Sequence, residues 1–223
     1  MIGKHPDALD RYTTLPFLLD IVQRRALFLS DPMRWEDRND VKVLKRYMKR
    51  LADRGEVNSN AKLFAMCFCT SSETIHHWKT FADGPSGCCI QFDKNKLLQS
   101  VDAVDDRSGK LRYSVVQYKS IRTVRTHTPS LRLYPFVKRL PYNIEREYRI
   151  IWIGDKSEKM KQIPISLNSI TKVTLSPQMP RDVFENNRRL LRRLLHRGPD
   201  ELKINLSTVL ENTGWVRAFP LSD

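Results

Sequence analysis

Glycine is scarce in this sequence, eight in 223 residues, and those present form no phosphate-cradling loop. Common nucleotide hydrolases therefore lack their signature, as do serine esterases without a Gly-x-Ser-x-Gly elbow and zinc proteases without His-Glu-x-x-His. No run approaches the ~18 apolar residues that span a bilayer, and the opening Met-Ile-Gly-Lys-His-Pro-Asp has no apolar signal core. A soluble, cytoplasmic protein without a membrane partner is expected. The four cysteines, Cys67, Cys69, Cys88 and Cys89, make no disulfide framework. A zinc site could be assembled by recruiting His76 and His77, but Cys-x-Cys and Cys-Cys are not the usual ligand spacings. Buried thiols are the expectation, with no metal. Acid is missing too: from Arg107 through Ile144 there are nine Lys or Arg and not one Asp or Glu.

That window sits in a chain with 39 Lys and Arg against 25 Asp and Glu, a net charge of +14, which implies an acidic partner. Arg112, Lys119, Arg122, Arg125, Arg132, Lys138 and Arg139 are interleaved with Tyr113, Tyr118, Tyr134, Phe136 and Tyr142. Bases that follow a phosphate backbone, mixed with rings that stack on unpaired bases, suit a single strand of nucleic acid. RNA is expected ahead of DNA because single strands expose their bases. The alternative is that several of these aromatics are core and the charge only aids solubility.

Hydrophobic period places strands at Leu9–Thr13, Ala26–Ser30, Leu63–Cys69, Gly87–Asp93, Lys110–Tyr118, Lys161–Ile165 and Ile170–Leu175, with an edge strand over Leu202–Val209. Helices are expected after Thr14, over Val41–Leu51, after a capping box at Thr70–Glu73, over Asn95–Val101 and from Pro180 to about residue 197. Lys119–Pro141 has no clear period and reads as a long, partly ordered loop. Strands and helices do not alternate strictly, so the fold class is α+β, with residues 1–223 as one domain and the last basic amphipathic helix packed on it.

The stretch Asn143–Gly154, Asn-Ile-Glu-Arg-Glu-Tyr-Arg-Ile-Ile-Trp-Ile-Gly, reads as a strongly apolar strand with two acids at its mouth. Strand alternation would set Glu145, Glu147 and Arg149 on one face and Arg146, Tyr148 and Trp152 on the other. Paired carboxylates suit a site that steadies positive charge developing on a sugar and takes a proton from an attacking group. The plainer alternative is a salt-bridged sheet edge, with Arg146 and Arg149 as partners.

In order and spacing the chain resembles a large family of uncharacterised bacterial proteins associated with toxin and defence genes. The likeness runs through Arg11-Tyr12-Thr13, Leu27–Pro32, Cys67-Phe68-Cys69, Trp78–Ala82, Gly87–Asp93, Glu145–Arg149 and Ile170–Val173. It departs where that family has Phe-Asn-Asp-Pro and this chain has Trp35-Glu36-Asp37-Arg38. The layout also looks like the ADP-ribosyltransferase fold of bacterial toxins, with an Arg or His on the first strand, a Ser-rich middle strand and a Glu-x-Glu opening a late one. Here Arg11, Thr70-Ser71-Ser72 and Glu145-x-Glu147 take those places, although the middle motif reads as a strand end capping a helix.

What this second resemblance implies is a transferase consuming NAD, acting as a toxin or phage-defence effector on nucleic acid, with an antitoxin as partner. Glu147 would sit on the ribose 2′-hydroxyl, Glu145 would position or deprotonate the acceptor, and Arg11 would bind the diphosphate. Tyr12, Thr13, Ser71, Trp78 and Tyr148 would line the NAD site. A non-catalytic nucleic-acid-binding module and a nuclease are the competing readings.

Overall fold

The computed structural model describes residues 7–104, 109–154 and 160–219. Strand β1 (Ala8–Thr14) runs into helix α1 (Leu15–Arg24), which carries Pro16 in its first turn and closes at Arg25 in the left-handed region, φ 50°. Strand β2 (Ala26–Ser30) stops at Asp31-Pro32. A 3-10 turn then leads to helix α2 (Arg38–Asp53), capped by Asp37, whose carboxylate accepts from the amides of Asn39 and Asp40. There follow β3 (Lys62–Cys69), α3 (Ile75–Phe81), β4 (Gly87–Asp93), α4 (Lys94–Asp102), β5 (Gly109–Val115), β6 (Gln117–Lys119), α5 (Ile121–Thr126) and β7 (Val137–Arg139). The chain continues with β8 (Glu147–Gly154), β9 (Met160–Pro164), β10 (Ile170–Leu175), α6 (Arg181–Leu195), β11 (Lys203–Leu206) and α7 (Thr213–Arg217).

Nine strands share one mixed sheet, ordered β11-β10-β4-β1-β3-β2-β9, with β8 paired to β3 and β5 paired to β8. All pairs are antiparallel except β10 with β11. The separate β6–β7 ribbon is parallel. The expected α+β class holds. Pairing is dense along β1–β4 and β3–β8, yet β1 meets β3 through the single pair Asp10 and Cys69. The sheet is therefore a set of well-bonded blocks joined at β3 by thin seams, one to β1 and another to β2 through the single pair Ser30 and Ala65.

Apolar helix stripes decide how the sheet is covered. Leu18, Ile21 and Val22 of α1, Leu97 and Val101 of α4, and Phe184, Leu191 and Leu195 of α6 share the largest core with Leu9, Phe64, Ile90, Ile150 and Trp152. Leu44, Tyr47 and Leu51 of α2 form a second core with Leu63, Ala65, Ile151, Ile153 and Phe136. Tyr12, Cys69, Trp78, Ala82 and Cys89 form a third, around α3. Strand β8 contributes to the first core with one face and to the second with the other, and all eight of its residues are buried.

Three sequence expectations change. Thr70 does not open a capping box: its amide and hydroxyl both donate to the carbonyl of Arg146, while Thr74 caps α3 by accepting from the amide of His77. Lys119–Pro141 is ordered as α5, a 3-10 turn over Leu131–Phe136 and β7, elements too short for period to reveal. The described residues carry eleven strands and seven helices, more than were read from sequence, because Lys110–Tyr118 divides into β5 and β6 and because β7 has only three residues.

Gly87 opens β4 where it passes close beneath the end of α3, and a methyl group there would overlap the carbonyl oxygen of Ala82. Backbone, unlike a side-chain tip, cannot yield cheaply. Gly87→Ala should lower unfolding stability by about 2 kcal/mol or more in urea denaturation, and an unchanged midpoint would contradict the close approach.

Candidate active site

Burial on both faces of β8 makes demands at Arg149, whose side chain is fully buried. A guanidinium there must find partners for its donors. Nε donates to Glu147 Oε1 at 2.6 Å, Nη2 to Asp40 Oδ2 at 2.7 Å, and Nη1 to Asp40 Oδ1 at 3.2 Å and to the carbonyl of Pro135 at 2.8 Å. The ring of Trp35 lies 4.9 Å from the guanidinium carbon. The first turn of α2, the 3-10 turn before β7 and the loop before α2 are thus all pinned to one side chain.

Glu147 is held on its second oxygen by Lys138, whose Nζ is 3.6 Å from Oε2. Glu145 was expected on the same strand face, and that is corrected: it ends a 3-10 turn over Leu140–Glu145, and Arg146 then takes a left-handed conformation, φ 45° and ψ 48°. The two acids nevertheless converge, since Lys138 Nζ donates to Glu145 Oε2 at 2.7 Å. The kink is fastened by Thr70 on the carbonyl of Arg146, by the amide of Glu147 donating to the Tyr118 hydroxyl at 2.8 Å, and by His77 Nε2, 3.4 Å from the carbonyl of Glu145. A non-glycine residue at positive φ is a cost that surrounding structure must enforce.

The environments separate the two carboxyls. Burial alone would raise both. At Glu147 the charge and hydrogen bond of Arg149, helped by Lys138, override it and hold the carboxyl down to about 2, so it is ionised at neutral pH. At Glu145 burial prevails over Lys138 and the carboxyl sits above its ordinary value. Lys138, between the two acids, is held above its ordinary value despite burial and stays charged.

These groups open onto a cleft of about 560 Å³, a size common for small-molecule sites. Its lining includes Asp10, Arg11 and Tyr12 of β1, Cys67 and Cys69 of β3, Phe81 of α3, residues 34–37, Lys138, Tyr142, Glu145 and Glu147. Arg11 lies at the thin β1–β3 seam, where its Nη1 donates to the carbonyl of Cys67 at 3.0 Å. Tyr12 is buried between His77, stacked at 5.2 Å, and Trp78, edge-on at 5.3 Å.

Of the residues expected to line an NAD site, Arg11, Tyr12, Glu145 and Glu147 are brought together, and four are not. Tyr148 points to the opposite face of β8, packed on Tyr113 at 6.3 Å with Lys94 over its ring. Thr13 is buried opposite Cys88. Ser71 lies behind the cleft, its hydroxyl 3.1 Å from Cys69 Sγ. Trp78 supports Tyr12 from behind and donates to Glu73. Sequence reasoning missed Trp35, Asp37, Asp40 and Tyr142. Asp37 and Asp40 carried the signal of acids at a helix start, and Trp35 that of an aromatic in a polar loop.

A second concavity, about 640 Å³, adjoins the cleft between α2 and α5. Lys42, Arg46 and Arg50 of α2 line it together with Lys119, Arg125, Lys138 and Arg139. The basic window is otherwise partly structural. Arg112 donates to the Tyr47 hydroxyl at 2.6 Å and to the carbonyl of Arg132, and Lys138 is engaged by the cleft acids. Arg122 and Arg132 are exposed beside the groove rather than on its wall, and Arg107 lies outside the described residues. Among the interleaved aromatics, Phe136 is core, Tyr113 donates to Asp102, Tyr118 is bonded to Glu147, and Tyr134 lines the groove. Among the described residues no group of three or more His, Cys, Asp or Glu is placed to hold a metal ion, and no helix is long and apolar enough to cross a membrane.

No family model and no curated protein matches the chain. Two solved structures are similar to it over most of their length. One is Thermus sp. 2.9 DarT in complex with NAD+, 11% identical over 91% of this chain and 96% of that one, with a TM-score of 0.40. The other is Thermus sp. 2.9 DarT in complex with ADP-ribosylated ssDNA, 12% identical over 93% of this chain and 98% of that one, with a TM-score of 0.39. Likeness at this level defines no family for the chain.

Because Glu147 is depressed from 4.5 to about 2, its contribution to stability is fully present above about pH 4.5 and is lost as pH falls toward 2. The amount is on the order of 3 kcal/mol. Glu147→Gln lacks the charge at every pH, so the wild-type and variant stability curves, measured by denaturant unfolding, should differ most near neutrality and converge toward pH 2. Curves that stay parallel would mean that Arg149 does not hold Glu147 ionised.

Proposed function

We propose that this protein is an NAD-dependent ADP-ribosyltransferase whose acceptor is a single strand of nucleic acid. The observation that carries the reading is the meeting, in one cleft, of Arg11 from β1 with Glu145 and Glu147 on either side of the kink at Arg146, with Glu147 ionised. Arg11 and Arg34 offer cations to a diphosphate, and Trp35, Phe81 and Tyr142 offer walls to flat rings.

The bond from the ribose C1′ to the nicotinamide nitrogen breaks with its electron pair going to the ring, which leaves as neutral nicotinamide. Glu147, ionised and fixed by Arg149, opposes the positive charge that develops on the sugar and needs no reorganisation to do so. An acceptor nucleophile forms the new bond to C1′, and its proton passes to Glu145, whose raised basicity suits a base. The products are ADP-ribosylated acceptor, nicotinamide and one proton.

The neighbouring groove supplies the acceptor. It brings two basic surfaces together beside the cleft, where phosphates neutralise them and Tyr134 meets a base. The expected preference for RNA rests only on the exposure of bases in single strands, which single-stranded DNA meets equally, so both belong in the test. A binding module without catalysis accounts for the groove and for the Glu147–Arg149 pair, but not for Arg11 and Glu145 meeting Glu147 in one cleft.

Glu147→Gln should slow nicotinamide release at least about 100-fold at neutral pH in protein that circular dichroism reports as folded. Glu145→Gln should spare NAD hydrolysis more than transfer. Equal release by wild type and Glu147→Gln ends the assignment.

Binding of short single-stranded RNA and DNA should weaken linearly in log affinity against log salt, by about 0.7 per neutralised phosphate. The slope should become shallower by about that amount for each of Arg125→Ala and Arg139→Ala, and less for Arg122→Ala, which lies off the groove wall. An identical slope in all of these proteins would place the strand elsewhere.

A further inference from the structure

Lys138 occupies the place that a cationic reaction centre would need. Its Nζ is 2.7 Å from Glu145 Oε2, 3.6 Å from Glu147 Oε2 and 4.0 Å from Asp37 Oδ2, over the ring of Tyr142 at 4.7 Å. In that position it neutralises the carboxylates that the proposed chemistry uses, and it would repel positive charge developing on the sugar. At the dielectric of a protein surface, two like charges a few ångströms apart slow such a step by about two to three orders of magnitude.

Three features distinguish this cation from Arg149. Arg149 is forked onto Asp40, Glu147 and a carbonyl and has no freedom to leave. Lys138 has a flexible four-carbon stem ending in a compact ammonium. It stands on the three-residue strand β7, which among the described residues pairs only with β6. Lys138 also lines both concavities, a position it shares only with the helix cap Asp37 among their lining residues. On the groove side its neighbours are Lys119, Arg125 and Arg139 with Lys42, Arg46 and Arg50 opposite, a set that would hold a phosphate chain within reach of its stem.

Resting on the transferase reading, we propose that Lys138 senses the acceptor: without a strand its ammonium caps Glu145 and Glu147, and a phosphate in the groove draws it off and uncovers them. NAD would then be spent mainly when an acceptor is in place. Linkage makes the coupling reciprocal, so whatever cationic group takes the vacated position should tighten strand binding by the same factor that the strand tightens its own.

The test measures nicotinamide release by the full chain with and without a short single-stranded oligonucleotide. In wild type the oligonucleotide should raise release about 10-fold or more. Lys138→Met should show high release without it, within about twofold of its own stimulated value. Lys138→Arg keeps the charge but forks onto the carboxylates, so release should stay low with blunted stimulation; this variant carries the test if Lys138→Met does not fold. A wild type indifferent to the oligonucleotide, or a Lys138→Met or Lys138→Arg protein stimulated as fully as wild type, overturns the proposal. A second readout does not depend on turnover. If the ammonium moves to a phosphate, the salt slope of oligonucleotide binding should be shallower by about 0.7 in Lys138→Met, and an unchanged slope overturns the switch. Absence of release from every protein, with or without strand, brings down the transferase reading itself, and the slope still reports whether Lys138 engages a phosphate.

Discussion

Arg149 sits inside a strand that is covered on both faces, and a guanidinium in that position is tolerated only while all of its partners are in place. Those partners arrive from Glu147 on its own strand, from Asp40 at the start of α2, from the carbonyl of Pro135 and from the ring of Trp35. Docking α2 and the segment before β7 is therefore a condition for burying β8 at all. The same demand fixes one oxygen of Glu147 and keeps its carboxyl ionised. Stability and the chemistry of the cleft draw on one network, so substitutions in it change both together.

The cleft itself follows from how the sheet is joined. Where β1 and β3 share one bridged pair, the two strands are not zipped shut, and Tyr12 and Cys69 of the third core and Trp35, packed on the second, line the opening. Helix α2 shows how much one amphipathic period can do there. Leu44, Tyr47 and Leu51 cover β8, Asp37 and Asp40 at its start serve the ion network, and Lys42, Arg46 and Arg50, four residues apart, line the groove. A face that period alone describes as solvated becomes a wall once α5 is placed opposite.

Much of the sheet was legible because alternation and helical stripes are local signals: β1, α1, β2, α6 and the two faces of β8 lie close to where period puts them. The kink before Glu147 was not, because Arg146 at positive φ carries none of the glycine or asparagine signature that usually announces that conformation. Alternation was extended two residues too far, and Glu145 reached the right place by another route. The partners of Arg149 and Lys138 were invisible for a different reason. Asp40 and Arg149 are 109 residues apart, and nothing in either neighbourhood names the other. Window composition failed in the same way at Arg112, Tyr118 and Phe136, where a basic-aromatic pattern is equally what a packed, hydrogen-bonded segment looks like.

Charge is distributed so that its sign changes over a short distance. The chain carries +14 overall, yet Asp37, Asp40, Glu145 and Glu147 are gathered around Lys138 and Arg149, and the charged residues of the groove wall are cations apart from Asp37 and Asp40 at the start of α2. Phosphates are drawn to the groove and kept from the acids, which accept positive charge instead. Within the cleft the sign changes again, from Glu145 and Glu147 to Arg11 and Arg34. A dinucleotide with a cationic ring at one end and a diphosphate in its middle satisfies both ends of that gradient in only one orientation, ring toward the acids and diphosphate toward the arginines. On the transferase reading proposed above, that orientation would set the bond to be broken against Glu147 and turn the face open to an acceptor toward Lys138 and the groove.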